Sequence, residues 1–261
     1  MDIKDTIMSH VRRDVMNSSL ENGVRFDGRK FNDLRPVEIQ KGPIKTAEGS
    51  AIAKIGNTTI LAACKFDVVT PFPDRPEEGV FMMNSELLPT ASPTFETGPP
   101  NEDSIELARV VDRAIRSAEI IDVKSFFIEK DKVLGLFFDL YVLNHAGNMT
   151  DTATAAASAA LLDTKLPKIE DGKIIRGEYT GPLNPKSVPV ATTMVKIGNN
   201  WLVDPTRDEE RVQETSLTIS TTEKHVCAMQ KRQGYITKDE LLSNIEIAFK
   251  TGNDIRKVLK G

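Results

Sequence analysis

Ile3, Ile7, Val11 and Val15 stand four apart with charged residues between them, which predicts an N-terminal helix over residues 1–20. The period then shortens. Residues 34–40 read as a first strand, and Ala51–Ile55 with Thr58–Ala63, joined by Gly56-Asn57, read as a β-hairpin. Residues 67–101 are rich in proline and acidic residues and predict loops around one short strand near 79–84. Helical spacing returns from Ser104 to Ile121. There Leu107, Val110, Val111, Ala114, Ala118 and Ile121 share one face, and Glu102, Asp103 and Glu106 sit at the end where the helix dipole favours anions.

Val133–Leu143 is almost continuously apolar and of strand length, so it is expected to be a central strand. Asn144–Asp151 follows as a tight loop. It opens an Ala-rich helix, Thr152–Leu162, with little polarity on any side and therefore destined for burial against a sheet. A loop containing Gly181, Pro182 and Pro185 leads to strands at Val188–Ile197 and Trp201–Val203, and a further strand pair is read at Leu217–Ser220 and His225–Gln230. The tetrapeptide Lys-Ile-Gly-Asn occurs at 54–57 and again at 196–199, each time opening a hairpin, which hints at an internal duplication. Thr237 with Glu240 forms a capping-box pattern for a C-terminal helix over 237–260, in which Gly252 is a candidate interruption. No low-complexity linker divides the chain, so residues 1–261 are read as one α/β (α+β) unit of two halves.

Composition narrows the classes. The 261 residues carry 34 basic and 38 acidic side chains, a net charge of −4, which gives no support to nucleic-acid binding by this chain alone. Cys64 and Cys227 are far apart and outside any Cys-x-x-Cys pattern, which argues against a disulfide framework or a zinc site and fits a reducing cytoplasm. No uncharged apolar run reaches the ~18–20 residues that cross a bilayer.

Several collinear segments carry a resemblance. They are Arg25-Phe-Asp-Gly-Arg29 with Leu34-Arg-Pro-Val37, Gly49–Thr59, the loop-to-helix run Asn144–Ala160, Val188-Pro-Val-Ala191 and Gly234–Glu240. In this order they resemble the RNase PH family. Glu86–Pro93 and Glu106-Leu-Ala-Arg109 favour its archaeal exosome branch, nearest to the subunits that lack a working active site. The resemblance implies an RNase PH-like fold of two βαβα-type halves, phosphorolytic trimming of RNA 3′ ends and assembly of six such domains into a ring. It also implies partners: a catalytic paralogue, three of each in the ring, RNA-binding cap subunits and single-stranded RNA. Phosphate and Mg2+ would be used at the partner's site, with no cofactor or metal on this chain.

Phosphorolysis requires a bound phosphate, and a strand, Gly loop and helix N-terminus is a fitting cradle. Active members of the family place a Gly-Ser/Thr-Arg-Ser/Thr run there. This chain reads Gly147-Asn148-Met149-Thr150, so Met149 stands at the arginine position, with Asp151 beside it to repel an anion. The bland reading is a buried helix capped by Asn148, Thr150 or Asp151. Active relatives also carry an aspartate just before the Val-Pro-Val-Ala-like strand, and here that position is Ser187. No catalytic residue is therefore assigned to this chain. An active ribonuclease using His145 and Thr150, and a free-standing RNA-binding scaffold, remain the alternatives.

Two clusters stay open. Asp204, Asp208, Glu209 and Glu210 suit either a divalent cation or a solvated turn. Arg109, Arg113 and Arg116 lie within one arc of the helix from Ser104, opposite its apolar stripe. Spacing alone fits a solvated face interleaved with Glu106, Asp112 and Glu119, whereas the resemblance implies RNA contact beside a neighbour's active site. Arg25, Arg29 and Arg35 suit RNA, a partner or the fold itself.

Overall fold

The computed structural model describes residues 13–261. Of the predicted N-terminal helix, residues 13–21 are helical (α1), and the remainder lies outside the described residues. The first half comprises β1 (Val37–Lys41), β2 (Gly49–Ile55), β3 (Thr58–Val69), β4 (Val80–Leu87), α2 (Glu102–Ser117), a 3₁₀ turn at Val123–Phe126, β5 (Phe127–Glu129), β6 (Lys132–Asn144) and α3 (Met149–Asp163). A hairpin of β7 (Lys165–Glu170) and β8 (Lys173–Pro182) follows. The second half is β9 (Val190–Ile197), β10 (Asn200–Val203), α4 (Arg207–Val212), β11 (Thr215–Thr221), β12 (Val226–Arg232) and α5 (Lys238–Lys260).

The larger sheet runs β1-β2-β3-β6-β4, with β5 beside β6; β4 lies parallel to β6 and the other pairs are antiparallel. The apolar run at 133–143 is thus an interior strand, as its composition requires. The second sheet is antiparallel, β10-β9-β11-β12. Between the sheets lies α3, in which every residue from Asp151 to Leu161 is buried. Its alanines let the backbone of β2 and β3 on one side and β9 on the other approach closely. Gly49 on β2 has no room for a side chain, since a Cβ would meet the Ala160 carbonyl at 2.6 Å.

The two Gly-Asn hairpins close identically. Ile55 pairs with Thr58 and Ile197 with Asn200, and Gly56 and Gly198 take φ of +57° and +58°. Several boundaries differ from the sequence reading. β3 runs on to Val69 because buried and outward residues keep alternating. Asn101 caps α2, accepting the Ser104 N–H, and the helix stops at Ser117, after which Glu119 adopts φ +48°. The β7–β8 hairpin lies in a stretch to which the sequence pattern assigns no element, and its end overlaps the loop read at Gly181-Pro182; Asp171-Gly172, at φ +50° and +69°, supplies its two-residue turn. Thr237 and Glu240 do form a capping box, but α5 runs unbroken through Gly252, where a Cβ would meet Thr221 Oγ1 at 2.8 Å. Among the described residues no helix is long and apolar enough to cross a membrane.

The acidic cluster divides: Asp208 is solvated, while the others turn into the fold. Thr206 and Glu209 form a capping box that starts α4, and Asp204 and Glu209 are buried. Asp204 Oδ1 accepts from Arg35 Nη2 at 2.7 Å and its Oδ2 from Arg29 Nη1 at 2.9 Å. Arg25, only 2% exposed, grips Glu209 with Nε and Nη2 at 2.7 and 2.8 Å. Arg25, Arg29 and Arg35 therefore point inward and tie the N-terminal arm to the second half. Among the described residues no three His, Cys, Asp or Glu side chains cluster to hold a metal ion. Truncating Asp204 to alanine leaves Arg35 with carbonyl acceptors but no carboxylate and Arg29 with Asp27 alone as countercharge, and is expected to cost about 3–5 kcal/mol. Truncating the exposed Lys257, paired only with Asp254, should cost about 1 kcal/mol or less. Guanidinium unfolding midpoints of the two variants check this ordering.

Candidate functional site

The loop from β6 to α3 is fixed at each residue. The His145 N–H donates to the Ala91 carbonyl at 3.1 Å, the Ala146 N–H to Thr58 Oγ1 at 3.1 Å, and Thr58 Oγ1 in turn to the Gly147 carbonyl at 2.5 Å. Gly147 adopts φ +98°, and a Cβ there would meet the Pro205 carbonyl at 2.5 Å. Asn148 is the N-cap, in the left-handed region at φ 57° and ψ 54°, and its Oδ1 accepts the Asp151 N–H at 3.4 Å. Asparagine tolerates this conformation better than other non-glycine residues.

A helix N-terminus of this form attracts an anion. Here the chain supplies its own. Glu210, on α4, accepts the Asn148 backbone N–H through Oε1 at 2.7 Å. Asp151, in the first turn of α3 and fully buried, accepts from the Thr193 N–H and Oγ1, both at 2.7 Å, and from Asn148 Nδ2 at 2.8 Å. Met149 occupies the first helical position, lines the cleft in front of the helix and packs on the main core with Phe95.

The charges respond to this crowding. Burial pushes the Glu210 carboxyl up to about 7, against the pull of the Asn148 N–H, Arg35 and Arg232. Burial likewise raises Asp151 to about 6 despite its hydrogen bonds to Thr193 and Asn148. Burial works to raise Asp204 as well, but the hydrogen bond and charge of Arg35 outweigh it and hold that carboxyl below its ordinary value. His145 is pushed down to about 4 by burial and by Arg207, Arg211 and Arg35. It is therefore neutral at pH 7. Its ring stacks on Phe95 at 5.6 Å, and Nδ1 accepts the Gly147 N–H at 3.3 Å. The proton then resides on Nε2, 4.0 Å from Glu210, and no lone pair remains for a general base.

The cleft measures about 320 Å³. Arg207, Arg211 and Arg232 line it together with Asp103, Glu106 and Glu210; of these, Arg232 is paired with Glu106, whereas Arg211 pairs with Asp208 and Arg207 donates to Thr94 Oγ1. Arg232 donates through Nε to Glu106 Oε1 at 2.8 Å. At the helix N-terminus itself, Glu210 holds the Asn148 N–H and Met149 stands beside it, so that end presents an acidic and an apolar side chain.

The structure does not bring Ser187 to this cleft. The segment before β9 crosses the far end of α2, where the Lys186 N–H donates to the Ile120 carbonyl at 3.3 Å. Ser187 lines a separate depression with Glu119, Glu223 and His225. Met149 instead faces Leu107 and Val110, in the first half of α2. The two positions thus lie toward opposite ends of α2.

Arg109, Arg113 and Arg116 are exposed on α2 and line one groove of about 420 Å³ against the edge of β4. They are not equivalent. Arg116 pairs with Asp112 at 2.8 Å, donates to the Phe81 carbonyl at 3.0 Å and stacks 5.3 Å above the Phe81 ring. Arg113 donates to Gln230 on β12 at 3.0 Å. Arg109 has no hydrogen-bond or ion-pair partner among the described residues. Glu106, which the sequence places among these arginines, is turned instead to Arg232.

Sequence reasoning missed Glu210 as the occupant of the α3 N-terminus. The available signal was Thr206-x-x-Glu209, a capping box that predicts α4 and lifts Glu210 out of a solvated turn.

Comparison with known proteins adds the following. The 3′ exoribonuclease family, domain 1, matches residues 33–167, and domain 2 of the same family matches residues 187–251. The exosome complex component Rrp42 of Thermococcus kodakarensis is 46% identical, over 97% of this chain and 96% of that protein. The corresponding Archaeoglobus fulgidus protein is 41% identical, over 98% of each. Among solved structures, a chain of the Archaeoglobus fulgidus exosome with RNA bound to the active site superposes with a TM-score of 0.86. It is 40% identical, over 96% of this chain and 98% of that one. A chain of an archaeal exosome core gives 0.85 at 37% identity, over 99% and 100%.

The raised Glu210 and Asp151 carboxyls fix a pH dependence. A carboxyl raised on folding favours the folded state most below its unfolded value, near 4.5 for Glu210, and loses that contribution as pH climbs through about 7. Replacing Glu210 with glutamine keeps an acceptor for Asn148 and removes the titration. Between pH 5 and 7.5 the native chain should lose roughly 1–2 kcal/mol relative to Glu210→Gln. Parallel urea titrations measure it; equal pH slopes would refute the assignment.

Proposed function

The chain belongs to the RNase PH family of 3′ exoribonucleases, and from this premise we propose that it is a catalytically silent subunit of an exosome ring that degrades RNA 3′→5′ by phosphorolysis. The observation that carries the proposal is the occupied helix N-terminus. Glu210 takes the Asn148 N–H at 2.7 Å, and Met149 stands in place of a cation. His145 is neutral with its Nδ1 lone pair in use, so it offers no substitute base. Ser187, a serine where active relatives carry an aspartate, lies away from the cleft.

In this reading phosphate and Mg2+ belong to the site of a catalytic paralogue, which supplies the arginine and the acid. The ring has six members, three of each, with RNA-binding cap subunits on it. The cytoplasm is its compartment, where the unpaired thiols of Cys64 and Cys227 are stable. This chain contributes Arg109, Arg113 and Arg116 to single-stranded RNA, as phosphate contacts with little sequence preference. Among the described residues Arg109 has no partner and Arg113 an amide partner alone, so these are the freer two; Arg116 is held by Asp112 and Phe81.

Phosphate-dependent trimming of a single-stranded RNA is the test, with this chain alone, the paralogue alone and the mixture. Nucleoside diphosphate should appear with the mixture and not with this chain alone; robust release by this chain alone contradicts the proposal. In the assembled complex, Arg109→Glu with Arg113→Glu should weaken RNA retention without dissociating the ring. Losing two phosphate contacts should flatten the dependence of log affinity on log salt by about 1.4. An unchanged slope would remove the pair from the RNA path.

A further inference from the structure

Tyr235 is 94% exposed, far more than any other large hydrophobic side chain among the described residues, the next being Phe26 at 59%. Its backbone, by contrast, is fixed on both sides. Lys231 Nζ donates to the carbonyls of Arg232, Gln233 and Gly234 at 3.4, 3.0 and 2.8 Å, closing the turn after β12. Gly234 adopts φ +66°, and a Cβ there would press into Thr215 Oγ1 and lie 2.5 Å from the Glu214 carbonyl. Gln233 Nε2 donates to the Gln213 carbonyl at 3.1 Å, and Thr215 Oγ1 to the Tyr235 carbonyl at 3.5 Å. Two residues later the Thr237–Glu240 capping box starts α5. The turn is thus a rigid mount for a ring that, among the described residues, stacks on nothing and whose hydroxyl bonds to nothing.

The strand that ends in this turn is joined to α2. Arg113 reaches Gln230 at 3.0 Å, and Glu106 holds Arg232 through Nε at 2.8 Å, so the helix face and β12 form one surface. β12 ends at Arg232, and Tyr235 stands on the turn three residues beyond it. Lys231, Arg232 and Lys238 surround the turn in sequence, and the nearby Glu240 is held by Lys196 at 2.5 Å and by Trp201 at 3.1 Å.

We propose that Tyr235 is a stacking platform for a base of the same single-stranded RNA, extending the path from Arg109 and Arg113 across β12 to the start of α5. An aromatic face serves any base, which suits a path without sequence preference. Because the backbone is already ordered, stacking costs little further entropy. The proposal rests on the RNA-binding role of α2, and its failure is separable from failure of that role.

The experiment uses the assembled complex and two fluorescent RNAs of about 12 nucleotides, one complete and one with abasic positions throughout its 5′ half. Tyr235→Ala should weaken the complete RNA roughly 5- to 100-fold, leave the salt slope unchanged and have little effect on the abasic RNA; Tyr235→Phe should restore binding. Tyr235→Ala that binds the complete RNA as the native complex does, or that weakens both RNAs equally, overturns the proposal. So does a ring that dissociates on a sizing column with Tyr235→Ala, which makes the residue a protein contact. If Tyr235→Ala is neutral while Arg109→Glu with Arg113→Glu still weakens binding, only the stacking role falls.

Discussion

A carboxylate with no exposed surface sits where three segments of the chain meet, and it must be neutralised for the molecule to fold. Asp204 is that group. Arg35 and Arg29 supply the countercharge, and Asn148 donates to its Oδ1 at 2.7 Å. Leaving such a charge unpaired costs several kcal/mol, so the N-terminal arm, the loop before α3 and the turn after β10 are not independent. Asp204 and Asn148 both adopt left-handed backbone, at φ +52° and +57°, a conformation that persists because their mutual contacts over-determine it.

That arrangement has a consequence for chemistry. With Asn148 held by Asp204 and Asp151, its backbone N–H points to α4. Arg25 anchors Glu209 on α4, and the adjacent Glu210 is thereby delivered to the N-terminus of α3. The cleft is still open, at about 320 Å³, and still has arginines on its walls. What is taken is the N-terminus of α3, where Glu210 holds the Asn148 N–H. A carboxyl pushed up to about 7 marks the strain of this solution, and the electrostatic cost is accepted inside a network that also orders the fold.

The parts of this architecture that depend on neighbours in sequence were legible. The Gly-Asn hairpins, the apolar β6, the Ala-rich α3 and the Thr237–Glu240 cap each carry their signal within a dozen residues. The β7–β8 hairpin was hidden because Pro167 and Pro182 mask the alternation on either side of Asp171-Gly172. The inward roles of Arg25, Arg29 and Arg35 were not legible, since their partners stand about 170–180 residues away along the chain. Met149 was found at the helix N-terminus as its motif implied. Pairing it with Ser187 as one site was a linear inference that the path of the chain over the end of α2 does not support.

The central claim is that this chain fills its own anion position. Calorimetric titration of inorganic phosphate into the purified chain at pH 7.5 addresses it directly. The account predicts no saturable heat, because Glu210 already holds the Asn148 N–H and Met149 offers no charge. Saturable, stoichiometric phosphate binding that is lost on changing Asn148 or Met149 would contradict it.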